Sequence, residues 1–131
     1  MMLNLILPEK ISMENIMNAL PSINPTLSST NPDVLSKFRN ALNALYGSRI
    51  ERVMLFGSRA RGDALPDSDY DVAVFLKEPI DRWREIETII PIIMDILDDT
   101  GAVINALPFR AGAYVERTPL MHEIRAEGVD I

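Results

Sequence analysis

Residues 55–76 read LFGSRARGDALPDSDYDVAVFL and join two apolar runs through a segment of glycines, arginines and aspartates. The first run, Ile50 to Phe56, reads as a β-strand that Gly57-Ser58 turns sharply; the second, Tyr70 to Leu76, reads as another. Within the second strand, alternation sends Tyr70, Val72, Val74 and Leu76 to one side, an apolar face for covering helices. Asp69 and Asp71 then share the opposite, open face. Two carboxylates roughly 6 Å apart repel by about 3 kcal/mol at an effective dielectric of about 20, unless one is protonated or a cation lies between them. A hard divalent ion that takes oxygen ligands and keeps part of its water, Mg2+, suits such a pair.

Gly57 and Gly62 first suggest a phosphate-binding P-loop. That motif needs Lys and then Ser or Thr after its second glycine, whereas Asp63-Ala64 follow Gly62 here. The P-loop reading therefore fails. The Gly57-Ser58 turn can still offer a hydroxyl and close backbone N–H groups to phosphate oxygens, with Arg59 and Arg61 adding charge. Asp63 and Asp67 belong to the loop and serve its turns and solvation. Taken alone, Asp67-Ser68-Asp69 is equally a polar turn before a buried strand. The combination of strand, Gly-Ser, ten residues, Asp-x-Asp and strand is far more specific, and it suits a metal–triphosphate complex set up for nucleotidyl transfer.

Around this stretch, Asn31-Pro32-Asp33 is a helix start, with a capping Asn, proline at the first position and an acid in the first turn. Val34, Leu35, Phe38, Ala41, Leu42 and Leu45 form the apolar face of that helix, and Gly47 ends it. Asp81 to Asp99 is helical by periodicity, kinked at Pro91 and followed by Gly101, with Trp83 in the core and Glu85 and Glu87 facing solvent. Ala102 to Leu107 is a third strand, and Thr118-Pro119 opens a last helix over Leu120 to Glu127. The order is α/β (α+β), one small mixed sheet with helices packed on one face. Residues 1–31 form an N-terminal extension: a helix capped by Ser12 with a Met13, Ile16, Met17 and Leu20 stripe, then a Pro/Ser/Thr/Asn loop. Residues 32–131 are the expected domain.

Composition narrows the function classes. A net charge of -6 argues against direct nucleic-acid binding and against anionic membranes, both of which need a cationic surface. With no cysteine, disulfides and thiolate metal sites are excluded, and one histidine leaves no histidine cluster and no Ser-His-Asp set. The apolar MMLNLIL start is short and lacks a basic flank, which reads as neither a signal peptide nor a membrane span. The expected location is cytoplasmic.

Gly57-Ser58, ten intervening residues and Asp69-Tyr70-Asp71 resemble the signature of the DNA polymerase β-like nucleotidyltransferase superfamily. The fuller string GSRARGDALPDSDYDVAVFL resembles its minimal nucleotidyltransferase (MNT) branch, the MntA-type antitoxins, and PLMHEIRAEGVDI is similar to the terminal helix and tail of that branch. The resemblance runs from about Pro32 to the end. It implies the polymerase β-like fold, with Ser58 on the nucleotide phosphates, Gly57 letting the backbone approach, and Asp69 and Asp71 as catalytic ligands of Mg2+. Arg59, Arg61 and Ser68 complete the expected nucleotide-binding set. It further implies a HEPN-domain RNase toxin as partner, in a hetero-oligomer or with homo-oligomers, and AMP transfer from ATP to a toxin tyrosine.

One departure stands out. Active superfamily members carry a third carboxylate on a later strand, but residues 101–109, GAVINALPF, contain no acid. Asn105 is the stand-in: its amide oxygen can ligate a metal but supplies no charge and no base. Asp95, Asp98 and Asp99 are alternatives that read better as solvated residues of the preceding helix. The alternative function is then a catalytically weak or inactive nucleotidyltransferase-fold antitoxin that neutralises by binding, and a less favoured third is transfer to a small hydroxyl compound of aminoglycoside type. His122, Arg110 and Arg117 carry no local signal.

Overall fold

A computed structural model describes residues 31–131; of the extension expected over residues 1–31, all but Asn31 lies outside them. Helix α1, Pro32–Tyr46, starts as its sequence dictates, the Asn31 side chain accepting from the Asp33 amide at 2.9 Å. Its inward line is Val34, Phe38, Leu42 and Tyr46, so the buried stripe ends on Tyr46 while Leu45 turns outward. A short 3-10 turn, Gly47–Arg49, leads into strand β1, Ile50–Phe56, and a single helical turn, α2 at Ser58–Arg61, follows. Strand β2 spans Tyr70–Leu76 and helix α3 spans Arg82–Thr100, running unbroken through Pro91. Strand β3, Ile104–Arg110, is followed by a 3-10 turn at Ala111–Val115, helix α4 at Pro119–Glu127 and the two-residue strand β4, Val129–Asp130.

The sheet order is β3-β2-β1-β4. Strands β1 and β2 pair antiparallel, β2 and β3 parallel, and β4 adds antiparallel to β1. This is the expected small mixed sheet. The third strand sits two to three residues later than the expected Ala102–Leu107, because the ladder with β2 begins at Tyr70 opposite Ile104 and continues through Pro108. A proline is tolerated there because β3 is, among the described residues, an edge strand.

Alternation along β1 and β2 divides the core. On one face Val53, Leu55, Tyr70, Val72, Val74 and Leu76 pack against Val34, Phe38 and Leu42 of α1 and Ile89 and Ile96 of α3. Burying side chains of this size contributes about 1.5–3 kcal/mol each. On the other face Met54, Phe56, Ala73 and Phe75 meet Ala113 and, from α4, Met121 and Ile124. The two long helices thus cover one face as expected, and the short C-terminal helix extends the cover to part of the second, because Ala73 and Phe75 are themselves apolar. That leaves the Asp71 end of the second face open.

Two expectations on α3 are overturned. Trp83 is 76% exposed and Glu85 only 5% exposed. The inward line of the helix is Glu85, Ile89 and Ile96, and Trp83 lies roughly 200° around the axis from Glu85. Glu85 is tolerated inside because the Tyr46 hydroxyl donates to its Oε1 at 2.8 Å and Arg49 reaches its Oε2 at 3.4 Å. Burial first, and then this hydrogen bond, push the Tyr46 phenol well above its ordinary range. Glu87 is exposed, as expected. Among the described residues, no helix is long and apolar enough to cross a membrane.

Candidate active site

The site forms where β1 ends. Phe56 is paired with Asp71 across the antiparallel ladder, so the chain leaving β1 passes directly beside the Asp71 carboxylate. Gly57 makes this possible. It has φ 76°, and a Cβ there would lie 2.4 Å from Asp71 Oδ2. Only a residue without a side chain accepts both the left-handed backbone and the contact. Ser58 then begins α2, whose turn closes through Ala60 and Arg61 amides donating to the Gly57 carbonyl at 3.0 Å each.

On the other side of Asp71, the parallel register places Asn105 directly opposite. Its Nδ2 donates to Asp71 Oδ1 at 3.0 Å. Asp71 is therefore flanked by the Gly57-Ser58 turn and by Asn105, both expected from the sequence to belong to the site. Asp69 is exposed one residue before β2, and no hydrogen bond or ion pair engages it among the described residues. Among those residues no group of three His, Cys, Asp or Glu side chains comes together. Asp69, Asp71 and the Asn105 amide are hard, oxygen-capable groups partly open to water, of the chemistry that could hold a hydrated divalent cation such as Mg2+.

The remaining expected residues divide. The Ser68 hydroxyl is spent on the loop, accepting from the Leu65 amide at 2.9 Å. Arg61 is exposed and pairs with Asp63 and Glu127 at 3.3 Å each. Its hydrogen bond to Asp63, and then that to Glu127, hold its protonated form more firmly than usual. Arg59 is not on the open side: it is 7% exposed, bonded to the carbonyls of Pro66 and Ser68, and stacked on Tyr70. No feature of the sequence announced this, because its partners are backbone oxygens.

Other acids stand apart from the site. Asp95 and Asp99 line a groove between α1 and α3, where Lys37 pairs with Asp99, and Asp98 is exposed. Arg110 pairs with Glu116 at the opposite end of β3 from Asn105, and His122 is an exposed residue of α4. A cleft of about 360 Å³ lies behind the loop, lined by Asn31, Arg59, Asp67, Ser68, Tyr70 and Val103; neither Asp71 nor Asn105 borders it.

The family model described as a nucleotidyltransferase domain matches residues 35–118. Two proteins of Methanocaldococcus jannaschii, whose names propose protein adenylyltransferase activity, are similar. One is 35% identical over 99 residues, covering 76% of this chain and 96% of its own. The other is 36% identical over 73 residues, covering 56% and 67%. A Sulfolobus solfataricus crystal structure, named as a proposed nucleotidyltransferase, superposes with TM-score 0.60 at 17% identity over 83% of this chain and 87% of that one. A chain of a toxin–antitoxin complex crystallised with AMP-PNP gives TM-score 0.51 at 17% identity, over 77% and 72%. At such identities the structural likeness concerns the fold.

Proposed function

The chain belongs to the nucleotidyltransferase-domain family, and from that premise we propose that it transfers AMP from ATP to a tyrosine of a HEPN-type RNase toxin, acting as its antitoxin in the cytoplasm. The observation that carries the reading is the convergence on Asp71: Gly57 leaves just enough room beside its carboxylate, and Asn105 faces it from the neighbouring strand. The adenylyltransferase names of the relatives and the toxin–antitoxin neighbour support AMP as the group moved and a protein as the acceptor.

In this reading the Gly57 turn lets the backbone approach the triphosphate and Ser58 supplies a hydroxyl to its oxygens. Asp69 and Asp71 would hold Mg2+, with the Asn105 amide oxygen as a neutral third donor once its amide turns over. The cation, when bound, offsets the charge of the triphosphate and of the pyrophosphate that leaves. The acceptor oxygen forms its bond to the α-phosphorus as the bond to pyrophosphate breaks, and the acceptor proton passes to water. Asn105 cannot accept that proton. A phenol, which ionises near pH 10, needs a base less than an alcohol does, which favours tyrosine as acceptor.

The test is transfer of labelled AMP from ATP to the co-purified toxin in Mg2+. Label on a toxin tyrosine, lost with Asp69→Asn/Asp71→Asn, is the expected result. No label with the authentic partner would overturn it. A second reading, neutralisation by contact alone, is favoured by the neutral Asn105 opposite Asp71. It requires that the same double variant still protect cells from the toxin.

A further inference from the structure

The loop between α2 and β2, residues 62–69, contains no helix or strand, yet it delivers Asp69 to the start of β2. Its ties include the Ser68 amide donating to the Leu65 carbonyl at 3.0 Å, the Leu65 amide to Ser68 Oγ at 2.9 Å, and the Gly62 and Asp63 amides to the Ser58 carbonyl at 2.9 and 3.1 Å. Arg61 also reaches Asp63 at 3.3 Å. Arg59 anchors the end that carries Asp69. Arg59 Nη2 donates to the carbonyls of Pro66 at 3.1 Å and Ser68 at 2.7 Å, and Nε donates to Ser68 again at 3.2 Å. The Ser68 carbonyl belongs to the peptide whose nitrogen is that of Asp69. A two-pronged grip on this oxygen fixes the orientation of that peptide plane and hence the direction in which Asp69 leaves the chain. The guanidinium also lies over the Tyr70 ring, 4.2 Å from its centroid, and Tyr70 is the residue between the two aspartates. The Tyr70 hydroxyl is held in turn, accepting from the Asn31 amide at 2.9 Å.

From this arrangement we propose that Arg59 is a positioning residue. Its planar fork sets the Ser68–Asp69 peptide and the Tyr70 ring so that Asp69 and Asp71 present their carboxylates to one cation. The inference rests on the reading of these two aspartates as the cation site, and it withdraws Arg59 from the nucleotide ligands. Lysine cannot replace it, because one ammonium cannot grip two carbonyls in a plane and lie flat on a ring.

The sign of the effect separates this role from simple electrostatics. Electrostatics alone makes Arg59→Met bind a divalent cation more tightly, since the repulsion from a neighbouring positive charge is gone. A positioning role makes it bind more weakly. The probe is Mn2+ alone, without nucleotide, titrated against the full chain and followed by electron paramagnetic resonance, with circular dichroism confirming that each variant is folded at the temperature used. Wild type should bind Mn2+ in a manner abolished by Asp69→Asn/Asp71→Asn. Arg59→Lys and Arg59→Met should both bind about tenfold more weakly, the loss seen when a ligand's supporting contacts are removed. Tyr70→Leu, which takes away the ring while leaving the fork, should weaken binding by a smaller factor and serves if the Arg59 variants do not fold. Unchanged or tighter Mn2+ binding in a folded Arg59 variant, or in Tyr70→Leu if neither folds, overturns the proposal. Wild-type binding that is absent, or that survives the double aspartate variant, overturns the cation-site reading itself and this inference with it.

Discussion

Glu85 and Asp71 are both carboxylates set against the sheet, and they are treated in opposite ways. Glu85 is buried with a phenol and a guanidinium on its two oxygens. Asp71, half-buried with its neighbour Asp69 exposed, has one amide donor from Asn105 and, among the described residues, no cationic side chain paired with it. Both lie close to α/β junctions, and both would cost free energy if left alone in a dry environment. The chain meets that cost at Glu85 with its own donors. At Asp69 and Asp71 it leaves two negative groups near the Gly57-Ser58 turn, and the proposed function has a bound cation neutralise them. An acid that the fold completes is a strut, and an acid that the fold leaves incomplete is an opening for a ligand.

The sharpest way to break this contrast is to remove both charges at the open end. Asp69→Asn/Asp71→Asn should lower AMP transfer by about a thousandfold or more, the equivalent of some 4 kcal/mol, while its melting temperature stays level or rises because a repulsion has gone. A melting temperature several degrees lower would make these acids struts too. Glu85→Ala should do the reverse, costing about 2–3 kcal/mol in urea unfolding because a buried phenol and Arg49 lose their charged acceptor, with transfer unchanged at a temperature where the variant is folded. Gly57→Ala lies between the two. With φ 76° and Asp71 Oδ2 only 2.4 Å from the new methyl, it should cost about 1–2 kcal/mol of stability and also displace Asp71, so that both melting and Mn2+ titration register it. The smallest effect is alkaline. The Tyr46 phenol ionises later in the folded chain than in the unfolded one, so its contribution is complete below the ordinary tyrosine range near pH 10 and drains as pH rises above it. Stability should fall with pH there by up to about 1.4 kcal/mol per unit, and the slope should flatten in Tyr46→Phe.

Much of the frame was legible because it rests on local rules. Asn31-Pro32 starts α1, and β1 and β2 occupy the expected ranges, since capping chemistry and period-two alternation act within a few residues. Gly57 could be singled out as a turn, but the reason that no larger residue fits, the Asp71 oxygen beside it, depends on strand register. Asn105 was named as a stand-in from the strand it occupies. Its hydrogen bond to Asp71 needed the β2–β3 ladder, which sequence patterns do not specify. Glu85 was misjudged because its partner Tyr46 is 39 residues away, and Trp83 because an aromatic at helical spacing does not say which side of α3 faces inward. Arg59 was assigned to phosphate by the company it keeps in the motif. The Pro66 and Ser68 carbonyls that it holds are main-chain oxygens, which every residue has and no motif marks.

Pro108, inside the outermost strand β3, has a consequence for assembly. One border of the sheet is that strand, with a residue that has no N–H to donate; the other is β4, only two residues long. Among the described residues, neither border offers an uninterrupted long row of free amides and carbonyls that lets a foreign strand zip on. Among the described residues, strand addition at either border is thereby disfavoured, and contacts there would be made by side chains rather than by a backbone ladder.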